Sequence, residues 1–424
     1  MPEYLLAHDL GTSGNKATLF TTDGTLIQSC VSGYGTRYYN GNWAEQNPGD
    51  WWKAVCASTK ELIQGIDPSD IVAVAFSGQM MGCLCVDRNG TPLRPSIIWA
   101  DQRAQAQAAA LGEQISLRDF YHIAGHRNSA SYGLQKLMWV RDNEPEVYAK
   151  TYKALNAKDF IVLRLTGKFY TEPSDATSNA CIDLNTLQWS EKIVNASGID
   201  GDKLPEIVPS TTVAGEVTPW AAGQTGLKAG TPVVMGGGDG LCSNVGAGSI
   251  SPGRTFSCIG TSAWVATTSE KPLFDEEMRT FTWAHIVPGL YSPTGTMQAG
   301  GSSYNWLKGQ VAKYETAVAK VQGISPYDLI NAEEKGDLAY RKEQLKRLQD
   351  EVVDIEDMQT GISIMDLGLN EFRLDLLAFI KEHPDVDRAP HGMNAVVQST
   401  PDCPPGVIFV MRNVSDGVNI GNQN

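Results

Sequence analysis

Tyr4-Leu5-Leu6-Ala7-His8-Asp9-Leu10-Gly11-Thr12-Ser13-Gly14-Asn15-Lys16-Ala17-Thr18-Leu19-Phe20 is the stretch that decides the fold. An apolar run of strand length ends at Asp9, small residues turn the chain, and a second run leaves. Asp23-Gly24 then gives a hairpin signal before Thr25-Leu26-Ile27, so the N-terminus reads as a β-meander with a glycine-rich first turn. Small residues in that turn let backbone N–H groups approach a phosphate, Thr12 and Ser13 add hydroxyls, and the Asp9 carboxylate at its mouth could hold Mg²⁺ through waters. A plain glycine turn capped by Asp9 explains the same residues equally well.

Working outward, Ile71-Val72-Ala73-Val74-Ala75-Phe76 reads as a buried strand ending at Ser77-Gly78-Gln79-Met80-Met81-Gly82. Pro232 to Met235 is a further strand, running into Gly236-Gly237-Gly238-Asp239-Gly240. Three glycines there suggest that something approaches the backbone closely. Asp239, beside the start of a helix, can accept the proton of an attacking hydroxyl or can serve as an N-cap; with its flanking repeat the base is favoured. That repeat is Thr255 to Ile259 followed by Gly260-Thr261-Ser262, which echoes Leu10 to Ser13 and suggests a duplicated domain with paired phosphate turns.

Weaker candidates surround these. Gln79 could present its amide to a polyol, and Trp99-Ala100-Asp101-Gln102-Arg103 could add an aromatic wall and charged groups; a packed strand end and an exposed helix start explain them nearly as well. His122 and His126 lack the intervening Glu of a zinc protease motif and read as solvated or core histidines. Cys83 and Cys85 read as packing residues, and Trp43, Trp51 and Trp52 as core. Leu134 to Arg141 reads as a helix that stops before Glu144-Pro145.

The composition fits an α/β enzyme. The 424 residues are 42% hydrophobic and 19% charged, with 42 Gly and 21 Pro. A formal charge of −14 argues against a nucleic-acid partner, because a polyanion is bound by clustered Lys and Arg. ATP stays open to it, since backbone N–H groups and a metal can hold phosphates locally. Eight cysteines are scattered without a Cys-x-x-Cys, and no apolar run reaches membrane length. A cytoplasmic chain with no membrane partner is expected.

Asp9-Leu-Gly-Thr-Ser13, Trp43-Ala-Glu-Gln-Asn-Pro48 with Trp51-Trp52, Ser77-Gly-Gln-Met-Met-Gly82, Trp99-Ala-Asp-Gln-Arg103, Leu163-Arg-Leu-Thr-Gly167, Ser174-Asp-Ala-Thr177, Gly236-Gly-Gly-Asp239 and Gly260-Thr-Ser262 together resemble the FGGY carbohydrate kinases, especially xylulokinase-like members. The resemblance implies an α/β fold of duplicated actin-like, ribonuclease H-like domains around an interdomain cleft, and ATP-dependent phosphorylation of a sugar, a pentulose such as xylulose, with Mg²⁺. It implies Asp239 as general base, and Asp9 for the metal and the developing charge. Gly11, Thr12, Ser13, Gly260, Thr261 and Ser262 would contact phosphates. Gln79, Met80 and Met81 would line the sugar, with Asp101, Asp239 and Gly240 beside it. Xylulokinases usually carry His at position 81 and Asn at position 240, so the Met81 and Gly240 of this chain should change the preferred polyol.

The resemblance covers residues 1 to about 334. It divides the chain into an N-terminal sugar domain at 1–245, a partial ATP domain at 246–334 and an unrelated, α-rich tail at 335–424. Leu338, Leu345, Leu348, Val352 and Ile355 predict an amphipathic helix in that tail, Asn370 to Glu382 a second, and Val407 to Met411 a strand. Because the family continues into a glycine-rich adenine turn not seen here, an inactive, truncated sugar-binding protein is one alternative. An actin- or chaperone-like ATPase is another, and a homodimer stays open.

Overall fold

The structure, a computed structural model, describes residues 3–259, 263–297, 300–327 and 330. The turn at Gly260, Thr261 and Ser262 and all three elements expected beyond residue 334 lie outside the described residues. The chain divides into two units, one of residues 1–256 and 266–294, the other of 257–265 and 295–424.

The first unit is built on a six-stranded sheet. Its strands are β1 (Tyr4–Leu10), β2 (Gly14–Thr21), β3 (Leu26–Gly33), β4 (Ile71–Gly78), β5 (Val213–Glu216) and β6 (Pro232–Gly238), in spatial order β5-β6-β4-β1-β2-β3. The meander expected at the N-terminus is there: β1 and β2 pair antiparallel, as do β2 and β3. Strands β1, β4 and β6 are parallel neighbours, which brings three carboxyl ends together. Such ends are where open α/β sheets carry their ligands.

Helix α1 (Pro48–Leu62) packs on this sheet through Trp51, Trp52, Val55 and Leu62. Asn47 starts it by accepting from the Gly49 N–H at 3.0 Å, and Pro48 sits where a missing N–H costs nothing. Helix α2 (Gly133–Asn143) ends before Glu144-Pro145 as expected. Helix α3 (Ala157–Thr166) is closed by Gly167 at φ 75°. The short α4 (Pro173–Thr177) precedes α5 (Asp239–Gly246), which follows β6 without a break. A hairpin of β7 (Phe281–Ala284) and β8 (Tyr291–Met297) also belongs to this unit over Phe281–Ala284 and Tyr291–Thr294. The other unit contributes α6 (Gly301–Gln310) and α7 (Lys313–Gln322), near which Lys308 Nζ donates to the Tyr327 hydroxyl at 2.9 Å. Among the described residues no helix is long and apolar enough to cross a membrane.

Cys83 and Cys85 are buried, and so is Trp51. His126 is buried among Tyr132, Phe281 and Trp283, whereas His8 stacks on Phe76 and meets Asn15 and Thr59 between β1 and α1. Burial holds both imidazoles neutral, with pKa lowered to about 4 at His8 and about 3 at His126. A folded-state pKa below the unfolded value makes stability complete above pH 6.5 and draws it down as the pH falls toward 4. We expect each histidine to withdraw roughly 2–3 kcal/mol of unfolding free energy between pH 7 and pH 4, a loss that a His126→Gln variant should escape relative to its parent. The same change in unfolding free energy between pH 7 and pH 4.5 for the variant and its parent would contradict it.

Candidate active site

Register sets the site. Asp9 of β1 stands opposite Ser77 of β4, and Ser77 stands opposite Gly237 of β6, so one row crosses three parallel strands. The Ser77 hydroxyl donates to Asp9 Oδ1 at 2.8 Å. Asp239 follows two residues past Gly237 as the first residue of α5. Its own Oδ1 accepts from the Gly240 N–H at 2.8 Å, and Gly238 rather than Asp239 is the N-cap. The Asp239 side chain is therefore not the cap of its helix.

Burial first, then the charge of Asp9, pushes the Asp239 carboxyl up to about 7, against the pull of the Gly240 N–H. A carboxylate that titrates near neutrality suits a general base, which must hold its proton only after the reaction has delivered it.

The first turn is tightly held. Gly11 N–H donates to the Gly14 carbonyl at 3.0 Å, and the Gly11 carbonyl accepts from the Tyr34 hydroxyl at 2.6 Å and from Gln79 Nε2 at 3.4 Å. Gln46 Nε2 donates to the Thr12 carbonyl at 2.6 Å, and Trp99 Nε1 to the Thr12 hydroxyl at 2.8 Å. Carbonyls of the turn thus face the protein, leaving Ser13 exposed at its tip. Such a turn offers its N–H edge to an anion.

Several residues expected at the substrate have partners within the chain. Gln79 is buried, and its Nε2 binds Gln46 Oε1 at 2.7 Å as well as the Gly11 carbonyl, so the amide braces the turn. Its Oε1 has no partner among the described residues. Met80 packs against Gly238. Asp101 lies fully buried, with its carboxylate taken by the Ala44 N–H at 2.6 Å and the guanidinium of Arg103, whose Nη1 also reaches Glu45 at 2.8 Å. Its oxygens are committed to that ion-pair cluster rather than turned to a ligand. Met81, half-buried at φ 59°, has its N–H on Ser178 Oγ and its carbonyl on Lys136 Nζ at 2.7 Å. Lys136 also holds the Ile98 and Ser131 carbonyls, and burial lowers its pKa to about 7.

The three glycines need a different reason from the expected one. Gly236 has φ 71°, and a Cβ there would stand 1.7 Å from the Phe76 carbonyl oxygen. A Cβ on Gly237 would meet Ile286 at 2.5 Å, and one on Gly238 the Met80 sulfur at 2.5 Å. What approaches this backbone closely is the chain itself. Gly236 also sits in an irregularity, since Val234 pairs with Ala75 but Gly237 with Ser77, giving β6 one residue more than β4.

Sequence reasoning missed the groups behind the site. Lys158 Nζ lies 2.8 Å from Asp159, 3.4 Å from Asp175 and 3.8 Å from Glu172, all buried. None of the four was singled out in the sequence for chemistry, although Ser174-Asp-Ala-Thr177 carried part of the family resemblance. Asn156 and Asp159 form a capping box at the start of α3, a spacing that marks a helix start and carries no sign of burial.

The chain is similar to known proteins of one family. The model of the N-terminal domain of the FGGY family of carbohydrate kinases matches residues 4–246. A gluconokinase of Bacillus licheniformis is 32% identical over 330 residues, covering 78% of this chain and 64% of that protein. A xylulose kinase of Bacillus subtilis (strain 168) is 32% identical over 324 residues, covering 76% and 65%. The crystal structure of xylulose kinase from Rhodospirillum rubrum superposes with a TM-score of 0.71 at 28% identity, over 76% of this chain and 66% of that one. The chain thus spans 64–65% of the length of these curated relatives.

Proposed function

Since the chain belongs to the FGGY family of carbohydrate kinases and carries its actin-like α/β fold, we propose that it transfers the terminal phosphoryl group of ATP to a hydroxyl of a small sugar or sugar acid. The observation that carries this reading is Asp239, a carboxyl with pKa about 7 that faces the Asp9 charge at the joined ends of three parallel strands.

In this reading Asp239 accepts the proton of the attacking hydroxyl as its oxygen bonds to the γ-phosphorus, and the bond to the bridging oxygen of ADP breaks. The N–H groups of Thr12 and Ser13 bind phosphate oxygens, while Gly11, whose own N–H is held by the Gly14 carbonyl, lets the phosphate come close, and Gln79, Gln46 and Tyr34 keep the turn in shape. Gly260, Thr261 and Ser262 are proposed for the matching turn. Met80, Met81 and Gly240 border the substrate, while Asp101 stays with Arg103 and the Ala44 N–H.

No described group of three or more His, Cys, Asp or Glu side chains forms a metal cage. Mg²⁺ takes one or two carboxylates together with phosphate oxygens and waters, and the Asp9 carboxylate is a donor of that kind. Bound there, the ion would supply charge neutralisation between the β- and γ-phosphates.

The resemblance favours a pentulose such as xylulose. Equal identity to a gluconokinase and a xylulose kinase brings aldonic acids into the same range. The test is ADP release over a panel of ketopentoses, polyols and aldonic acids. Turnover should rise at least tenfold over the sugar-free rate with one member of the panel. A folded sample that hydrolyses ATP equally with and without every sugar would overturn the proposal.

A further inference from the structure

Asp239 follows a glycine, and a glycine leaves two soft dihedrals free to swing whatever comes after it. Gly238 pairs with Gly78 at the end of β6, and its amide is held by one hydroxyl. The Gly238 N–H donates to Ser174 Oγ at 2.9 Å, and Ser174 Oγ donates its single proton to Glu172 Oε1 at 2.7 Å. Because that proton is committed to Glu172, an Oγ lone pair is left facing the Gly238 amide.

Glu172 cannot turn away. Its Oε1 also accepts from the Asp175 N–H at 2.8 Å, and its Oε2 accepts from the Ser174 N–H at 2.9 Å and the Ser210 hydroxyl at 2.5 Å. Lys158, 3.8 Å from Oε1, offsets its charge. Glu172, Ser174 and Lys158 are wholly buried, and Ser210 nearly so. A buried polar network is rigid only when each member is satisfied, as Glu172 and Ser174 are here.

We propose that Ser174, oriented by Glu172, is a positioning residue that fixes the backbone ahead of Asp239 and so aims the catalytic carboxylate. The inference rests on the kinase reading above.

Ser210 supplies the control, because it donates to the same Glu172 carboxylate but makes no contact with Gly238 through its side chain. Ser174→Ala should lower kcat about tenfold or more while the sugar KM stays within about twofold, since misaiming a reacting group costs rate rather than affinity. Ser210→Ala should lose a similar amount of thermal stability yet keep kcat within about threefold. Backbone amide exchange at Gly238, measured on the full chain, should quicken about tenfold or more in Ser174→Ala and stay unchanged in Ser210→Ala. If the alanine variant does not fold, Ser174→Cys, which keeps the size and weakens both bonds, should give the same ordering.

Equal loss of kcat in the two variants, or a loss confined to KM, would overturn the inference and leave the kinase reading standing. A wild-type chain without turnover would defeat the kinase reading, and amide exchange then decides the clamp: unchanged exchange at Gly238 in Ser174→Ala would overturn it.

Discussion

Asp239→Asn is expected to lower kcat for sugar phosphorylation by about 10²–10⁴-fold with the sugar KM changed only a few-fold, the signature of a group used in the transition state. The substitution keeps the shape of the side chain and its bond from the Gly240 N–H, but takes away the proton acceptor. The same variant should be more stable than its parent at pH 8. Burial and Asp9 raise the folded-state pKa of Asp239 from 3.8 to about 7, so folding binds a proton between those values and stability is lost as the pH rises through them. Asparagine escapes that loss. The gain at pH 8 is roughly 2 kcal/mol, below what the full shift implies because the residue is only half-buried, and it should vanish near pH 4. Urea midpoints at the two pH values, with kcat measured on the same samples, check both halves. A variant with unchanged kcat would remove Asp239 from the chemistry.

Gly236→Ala is expected to be the most damaging single change to stability, costing more than about 5 kcal/mol and leaving little soluble protein. Two faults combine: φ of 71° and a Cβ placed 1.7 Å from the Phe76 carbonyl oxygen and 2.7 Å from its carbon. Both obstructing atoms are backbone of β4, paired on either side, so neither can yield without opening the sheet. Gly24→Ala is the matched comparison, with φ of 90° but nothing within 4 Å of the new Cβ. It carries only the left-handed strain, about 1–2 kcal/mol, and should remain soluble. Soluble yield and the urea midpoint of the two proteins distinguish these outcomes. A Gly236→Ala protein within 2 kcal/mol of its parent would mean that the contact with Phe76 is looser than described.

Much of the first unit was legible because its strands are apolar runs punctuated by small residues. Tyr4–Leu10, Gly14–Thr21, Ile71–Gly78 and Pro232–Gly238 lie where those runs predict, and the helix before Pro145 stops where proline demands. That Asp9 and Asp239 meet was carried by the resemblance to a family, because no spacing along the chain reveals which strands will be neighbours. Polar residues were harder to read. Gln79 and Asp101 were expected to face a sugar, yet Gln79 serves Gln46 and Gly11, and Asp101 serves Arg103 and Ala44. A side chain's capacity to hydrogen-bond is written in the sequence; whether its partner is a ligand or another part of the chain is decided by packing. The same holds for Lys158, Glu172 and Asp175, whose charges suggest solvent and whose surroundings are dry.

The extra residue at Gly236 has a consequence for how this site can change over time. Along a strand, side chains point alternately to the two faces of the sheet, so one added residue reverses the parity of everything after it. Deleting it would turn Gly237 and Gly238 to the opposite faces and shift the strand end from which α5 and Asp239 leave, and a second change of length would be needed to restore it. Single substitutions elsewhere in the strand leave that parity untouched. The counting of residues in β6 has no intermediate, and it locks that strand end in place as a key is locked to one orientation in its slot.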